Sequence, residues 1–367
     1  MKVLMAAPFE ANGRYRGGIG SVANTIMDHD KDLRANGLDV IEFNTCAIDR
    51  QIGSDASIGL DNIKNSLILY STICSAVYES DAEVLYYHSS VKIALLKDLL
   101  VLRHAKRKTG IKTVIHIHFA EYQKIMSGNR LIDGMILEIL KKDVDEVVFL
   151  SKGTMESFIE HGLAREKCNV IYNFSTLDIG VECKPQLHQD GAPVKFLFIG
   201  SICKRKGFFD LADVMSSFNE ENIQLHVCGA TSNQEAEEHF AALQETLGEK
   251  LVFHGFVSGD ERERVYRDAD ALVLPSYGEG LPMVIMEAFS AGCAVISTDV
   301  GAIPEIVEKK NGIIIHPGDK DALKQAIKTL IENSKQLKQI QEYNIACARD
   351  YTCEKFIEKL NAVCRKG

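Results

Sequence analysis

The chain has 367 residues, 46% of them apolar and 25% charged, enough for two domains with separate cores and typical of a folded globular protein. Its net charge of −9 argues against a nucleic-acid binder, whose surface would be basic. The 10 cysteines include no C-x2-C pair, which speaks against a zinc site, and their scatter through apolar runs fits small hydrophobes in a reducing cytoplasm.

The run from Met1 to Phe9 is short, has Lys2 as its only basic residue and ends at Glu10, so it reads as a first β-strand rather than a signal peptide. No stretch reaches the ~18 uninterrupted apolar residues of a membrane-spanning helix. A loop, Phe9 to Gly20, carries Gly17-Gly18-Ile-Gly20, and a helix is predicted from Ser21 through Asn36. Such a glycine turn between strand and helix serves either close approach to a phosphate or tight packing, and it lacks the G-x-G-x-x-G spacing of a dinucleotide site.

Strand-like runs recur at Asp39–Phe43, Val84–Tyr87, Thr113–His118 and Glu146–Leu150 with helical stretches between them, which argues for a parallel, doubly wound sheet. His116 and His118 lie two apart and share one strand face. His118 stands at the C-terminal end, where open α/β sheets bind ligands; His116 is one layer deeper and reads as core. Between Val91 and Lys112, seven basic residues (Lys92, Lys97, Arg103, Lys106, Arg107, Lys108, Lys112) face one acid, Asp98, a local +6 interleaved with leucines. That tract, 91–112, suits either an anionic membrane surface or a core helix with a solvated basic end.

Residues 175–193 show no sustained periodicity and read as a linker. A second series of strands follows at Lys195–Gly200, Gln224–Gly229, Leu251–Gly255, Ala271–Leu274, Ala294–Thr298 and Gly312–Ile315. The turn after its first strand, Gly200-Ser-Ile-Cys-Lys204-Arg205-Lys206-Gly207, sets three consecutive cations at a strand end, as a diphosphate clamp or a solvated loop. Phe256 and Val257 follow the strand ending at Gly255; Phe256 could pack against a base, but an aromatic after a strand is more often core, and a nucleobase pocket there is what the family resemblance described below implies.

The most informative stretch is 274–308. Strand Ala271–Leu274 runs into Pro275-Ser-Tyr-Gly-Glu279-Gly280, and a helix is predicted to open near Leu281 with Pro282 in its first turn and Met283 after it. A helix N-terminus at a strand end suits phosphate. Glu279 lies just outside that helix and Glu287 two turns inside, roughly 12 Å apart along the backbone. A hydrolytic acid/base pair needs carboxylates about 5–9.5 Å apart, so two acceptors for hydroxyls on either side of a phosphate fit better.

This Glu-x7-Glu spacing within Pro-Ser-Tyr-Gly-Glu-Gly-Leu-Pro resembles the signature of the family 4 retaining glycosyltransferases of GT-B fold. The resemblance implies two Rossmann-like α/β domains with parallel sheets facing a cleft: residues 1–177 on the acceptor side, joined by a terminal helix within 351–367, and 194–350 on the nucleotide-sugar side. It implies His118 and Glu279 as catalytic residues contacting the transferred sugar. Donor binding would fall to Gly17, Gly18, Arg205, Lys206, Gly280, Leu281, Pro282, Met283 and Glu287, the last on the ribose. Ser151 and Asn173 match family motifs that shape the cleft.

One departure is Ser201, where the family has arginine; Arg205 is the candidate substitute. The implied reaction moves a sugar, with a UDP-sugar as favoured donor, onto a hydroxyl of a glycan or lipid-linked acceptor, as in bacterial surface polysaccharide synthesis. No cofactor or metal is expected, since there is no Asp-x-Asp cluster and cations with helix dipoles can offset the leaving-group charge. The expected location is cytoplasmic, at the inner face of the membrane if tract 91–112 docks there. A GT-B sugar-nucleotide epimerase and a silent sugar-nucleotide-binding scaffold are the competing readings.

Overall fold

The computed structural model describes residues 1–9, 18–46, 60–177, 188–189 and 191–366. They form two units, Met1–Asn173 with Cys353–Gly367, and Phe174–Thr352.

The first unit is built on a six-stranded sheet of β1 (Lys2–Ala7), β2 (Asp39–Asn44), β3 (Val84–Ser89), β4 (Lys112–Ile117), β5 (Glu146–Phe149) and β6 (Cys168–Val170), in the order β2-β1-β3-β4-β5-β6. All its pairings are parallel. Continuous apolar runs such as Val3–Ala7 are buried because helices cover both faces of such a sheet. The short strand β6 is too brief to show in the sequence pattern. The predicted helix over 21–36 is two helices, Gly18–Asp28 and Asp30–Ala35, because His29 leaves helical geometry (φ −92°, ψ 41°) and its Nδ1 bonds the Thr25 carbonyl instead.

The terminal helix, Cys353–Arg365, belongs to this unit and buries Phe356, Ile357, Leu360 and Val363. Phe356 stacks at 6.0 Å on the ring of His116. Lys112 Nζ donates to the carbonyls of Val363 (3.2 Å) and Cys364 (2.9 Å), a cation placed where the helix dipole is negative.

The second unit holds β7 (Val194–Ile199), β8 (Ile223–Cys228), β9 (Leu251–Gly255), β10 (Ala271–Leu274), β11 (Ala294–Thr298) and β12 (Gly312–Ile315), ordered β12-β11-β10-β7-β8-β9 and again parallel throughout. Strand order reverses between β7 and β10. The later strands are added on opposite sides of this pair, and the C-terminal ends of the strands at such a switch point are the usual ligand position in open α/β sheets. The helix after β10 spans Met283–Ser290, two residues later than predicted. Pro282 is its N-cap rather than part of its first turn, with ψ at 122° in the extended range.

Candidate functional site

In the second unit, the loop after β7 and the loop after β10 meet at the point of reversal. Gly207 makes this possible. Its φ is +72°, and a Cβ there would lie 1.9 Å from the Pro275 carbonyl oxygen. Tyr277 N–H donates to the Arg205 carbonyl at 2.9 Å, and Arg205 Nη1 donates to the Gly278 carbonyl at 3.1 Å. From the other side, Gly301 brings its backbone against Glu279 and Gly280, where a Cβ would stand 2.4 and 2.5 Å from their carbonyl oxygens. Thr298 Oγ1 donates to the Ser276 carbonyl at 2.7 Å. The loop carrying Glu279 is thus held from both sides by close backbone approaches and by hydrogen bonds to its carbonyls.

Within it, Lys206 Nζ donates to Glu279 Oε1 at 2.7 Å, and Ser276 Oγ donates to the same oxygen at 2.7 Å. Side-chain exposure is 17% for Lys206 and 8% for Glu279, so the pair is poorly hydrated yet open at one edge. Gly280, Leu281, Pro282 and Met283 lead from Glu279 into the helix, with Leu281 buried. The N–H groups of a helix's first turn have no acceptor inside the helix.

Glu287 is fully buried. Its Oε2 accepts from Arg262 Nη2 at 2.6 Å and Tyr266 Oη at 2.7 Å, and its Oε1 accepts from Thr176 Oγ1 at 2.5 Å. Burial opposes the Arg262 charge, but the Glu287 carboxylate, with Tyr266 and Cys228 adding to it, raises the guanidinium above its ordinary range. Burial and the same carboxylate push the Tyr266 phenol up, so it remains an O–H donor. A carboxylate offers about four lone-pair positions, so these donors leave Glu287 little spare capacity. Phe256 is 56% exposed, whereas Val257 is buried.

In the first unit, His118 follows directly on β4 and its Nε2 lies 2.7 Å from His88 Nδ1 at the end of β3. Burial pushes His118 down to about 3, so the imidazole is neutral at physiological pH. Gly18 opens the helix Gly18–Asp28, and Gly17 lies outside the described residues. Ser151 is the N-cap of the helix Lys152–Glu160, its Oγ accepting from Thr154 N–H at 2.9 Å, and Asn173 is buried at the end of the unit. In the basic tract, most of which is the helix Lys92–Thr109, Lys97 pairs with Asp98, Arg103 and Arg107 with Asp143, and Lys106 with Asp145.

The structure thus joins Lys206 to Glu279 directly, and surrounds Glu287 with partners that the sequence did not single out: Thr176, Arg262 and Tyr266. Arg262 sits in a stretch, Asp260 to Arg267, so rich in acids and arginines that no one of them stands out. Ser276 and His88 do carry a signal. Ser276 is three residues before Glu279, and His88, like His118, lies at the C-terminal end of an apolar run, Val84–Tyr87.

Residues 182–346 match a family model described as Glycosyl transferases group 1. An uncharacterized glycosyltransferase of Methanocaldococcus jannaschii is 29% identical over 191 residues, 48% of this chain and 48% of that protein, so the match spans about half of the relative's length. The putative teichuronic acid biosynthesis glycosyltransferase TuaC of Bacillus subtilis is 26% identical over 258 residues, 62% of this chain and 63% of its own. Among solved structures, HepE of Anabaena in complex with UDP superposes with a TM-score of 0.71 at 17% identity, covering 98% of both chains, which shows a shared fold.

Gly207 offers a direct check on the meeting of the two loops. Gly207→Ala forces an L side chain into the left-handed region, about 1–2 kcal/mol before any clash with Pro275. Urea unfolding should show a loss of at least that size, and nucleotide affinity by calorimetry should fall with it.

Proposed function

We propose that this protein, whose residues 182–346 match the group 1 glycosyltransferases, is a retaining, metal-independent transferase. It would move a sugar from a nucleotide-sugar, a UDP-sugar by preference, to a hydroxyl of a glycan or lipid-linked acceptor. The observation that carries this reading is the Lys206–Glu279 pair at the reversal point of the second sheet, beside the N-terminus of the helix Met283–Ser290.

The chemistry follows from what each group can do. A diphosphate needs donors: Lys206 supplies a point charge, Arg205 stands one residue away, and the helix start adds backbone N–H groups and a partial positive charge. Sugar hydroxyls need acceptors, which Glu279 supplies once Lys206 shifts its hydrogen bond to phosphate. The resting ion pair keeps both charges in place. Glu287 would take a ribose hydroxyl either on its remaining lone pair or in place of the Thr176 hydroxyl. His118 is assigned to the transferred sugar, and Gly17 and Gly18 to the phosphates, by the family resemblance. Retention would follow if the acceptor attacks from the leaving group's own face, with a phosphate oxygen taking its proton.

The matched family and the relatives' names favour a transferase over an epimerase or a silent scaffold. A relative named for teichuronic acid synthesis supports a surface-polymer acceptor. Among the described residues no helix is long and apolar enough to cross a membrane. We propose peripheral docking on an anionic membrane through 91–112. Its support is the basic helix Lys92–Thr109 with exposed Ile93 and Leu100.

Three variants test the roles assigned to the site residues. Lys206→Ala should weaken nucleoside diphosphate binding by about 1.5–3 kcal/mol, the worth of a hydrogen bond to a charged group, whereas Glu279→Gln should leave that affinity equal or tighter and lower kcat. Glu287→Gln should weaken free nucleotide and nucleotide-sugar alike and appear mainly in KM. A shifted bell-shaped pH profile with unchanged nucleotide affinity in both glutamate variants would instead mean an acid/base pair.

Transfer should also survive EDTA; activity lost to chelation and restored by Mg²⁺ or Mn²⁺ would refute the metal-independent site. In flotation assays, the protein should bind anionic vesicles more than neutral ones and lose that preference at high salt. Equal partitioning would return the tract to an ordinary helix.

A further inference from the structure

Parallel pairing of β3 and β4 sets His88 directly beside His116. Strand alternation then puts His118 on the same face as His116. The three rings form a tight group, with His116 and His118 centroids 4.1 Å apart and His88 and His118 centroids 4.9 Å apart. One nitrogen of each histidine lies within 4.8 Å of one nitrogen of each of the others. His88 is 3% exposed and His116 fully buried, and the Nε2 atoms of both have no hydrogen-bond partner. Buried polar atoms left without a partner are uncommon, because each forfeits its hydration with nothing in exchange.

Packing alone does not account for that arrangement. Tyr86 Oη lies 3.1 Å from His116 Nδ1 and fixes that ring, so His116 has its Nε2 to offer.

We propose that His88, His116 and His118 bind one borderline transition-metal ion, Zn²⁺ or Co²⁺, Ni²⁺ or Cu²⁺ in its place. Three imidazoles with no oxygen ligand favour these ions over Mg²⁺ or Ca²⁺. Three nitrogens leave a fourth position of the tetrahedron for water. Metal–nitrogen bonds of 2.0–2.1 Å hold two tetrahedral ligand atoms about 3.3 Å apart, whereas the His88 and His118 nitrogens stand at 2.7 Å. Binding through His88 Nδ1 therefore replaces that hydrogen bond and spreads the pair by about 0.6 Å; the proton stays on His88 Nε2, and the unpartnered nitrogen that the ion satisfies is His116 Nε2. Tyr86 becomes the acceptor for His116 Nδ1–H, the outer-sphere bond that orients a metal-bound imidazole. The ion takes up the lone pair of His118, so it opposes transfer rather than assisting it; this consequence, unlike the site, rests on the role proposed for His118.

The test is a titration of the EDTA-treated full chain with Co²⁺, a visible stand-in for Zn²⁺. The expected result is one equivalent with imidazole-type d–d absorption, displaced by Zn²⁺ and indifferent to excess Mg²⁺. Tyr86→Phe, which preserves shape, should weaken binding about 10-fold, and His88→Gln should weaken it more, each with circular dichroism confirming the fold. Absence of a saturable equivalent, a thiolate charge-transfer band, or unchanged affinity in folded His88→Gln would overturn the site. Zn²⁺ should inhibit transfer with the midpoint of the binding titration. Binding without inhibition would support the site and remove His118 from the proposed reaction.

Discussion

The second unit's candidate site depends on one ion pair, Lys206 with Glu279, formed across the reversal in strand order between β7 and β10. Each partner alone in so poorly hydrated a loop would carry a desolvation cost that its surroundings could not offset. Together, with Ser276 donating to the same carboxylate oxygen, they are satisfied and remain available at the open edge. Backbone contacts lacking any intervening side chain bring them there. Gly207 lets the loop after β7 rest on Pro275, and Gly301 lets the chain after β11 rest on Glu279 and Gly280.

Glu287 shows the same rule in a different setting. One helix carries it inward while Glu279 stays at the mouth, and a fully buried carboxylate needs more partners than one at an edge. Arg262 supplies the opposing charge, and Tyr266 and Thr176 supply hydroxyl donors. Replacing one partner of such a group strands the others, which is why isosteric changes inform about function where truncations report mainly on the fold.

In the first unit, charge and polarity behave differently from their appearance along the chain. The tract 91–112 counts as +6 in sequence, yet Asp143, over thirty residues further on, pairs with both Arg103 and Arg107, and Asp145 pairs with Lys106. The histidines do the reverse. His116 looks like an isolated core residue in sequence, and becomes part of a three-imidazole cluster once β3 lies beside β4.

The amino-acid sequence by itself determined the elements and the place of the candidate site. Apolar runs of strand length, alternating with helical spacing, specify two parallel α/β units, and the glycines and prolines around Glu279 mark a strand–turn–helix junction. These are local properties, set by backbone conformation and by which face each side chain takes. The position of Pro282 as cap, the break at His29, and above all the partners of Lys206, Glu287 and His118 were decided only by tertiary structure. Lys206 and Glu279 are 73 residues apart in the chain, and Thr176 and Glu287 are 111. No periodicity relates positions so distant; strand order and the close approach of glycine backbones bring them within hydrogen-bonding distance, and only the folded sheet specifies both.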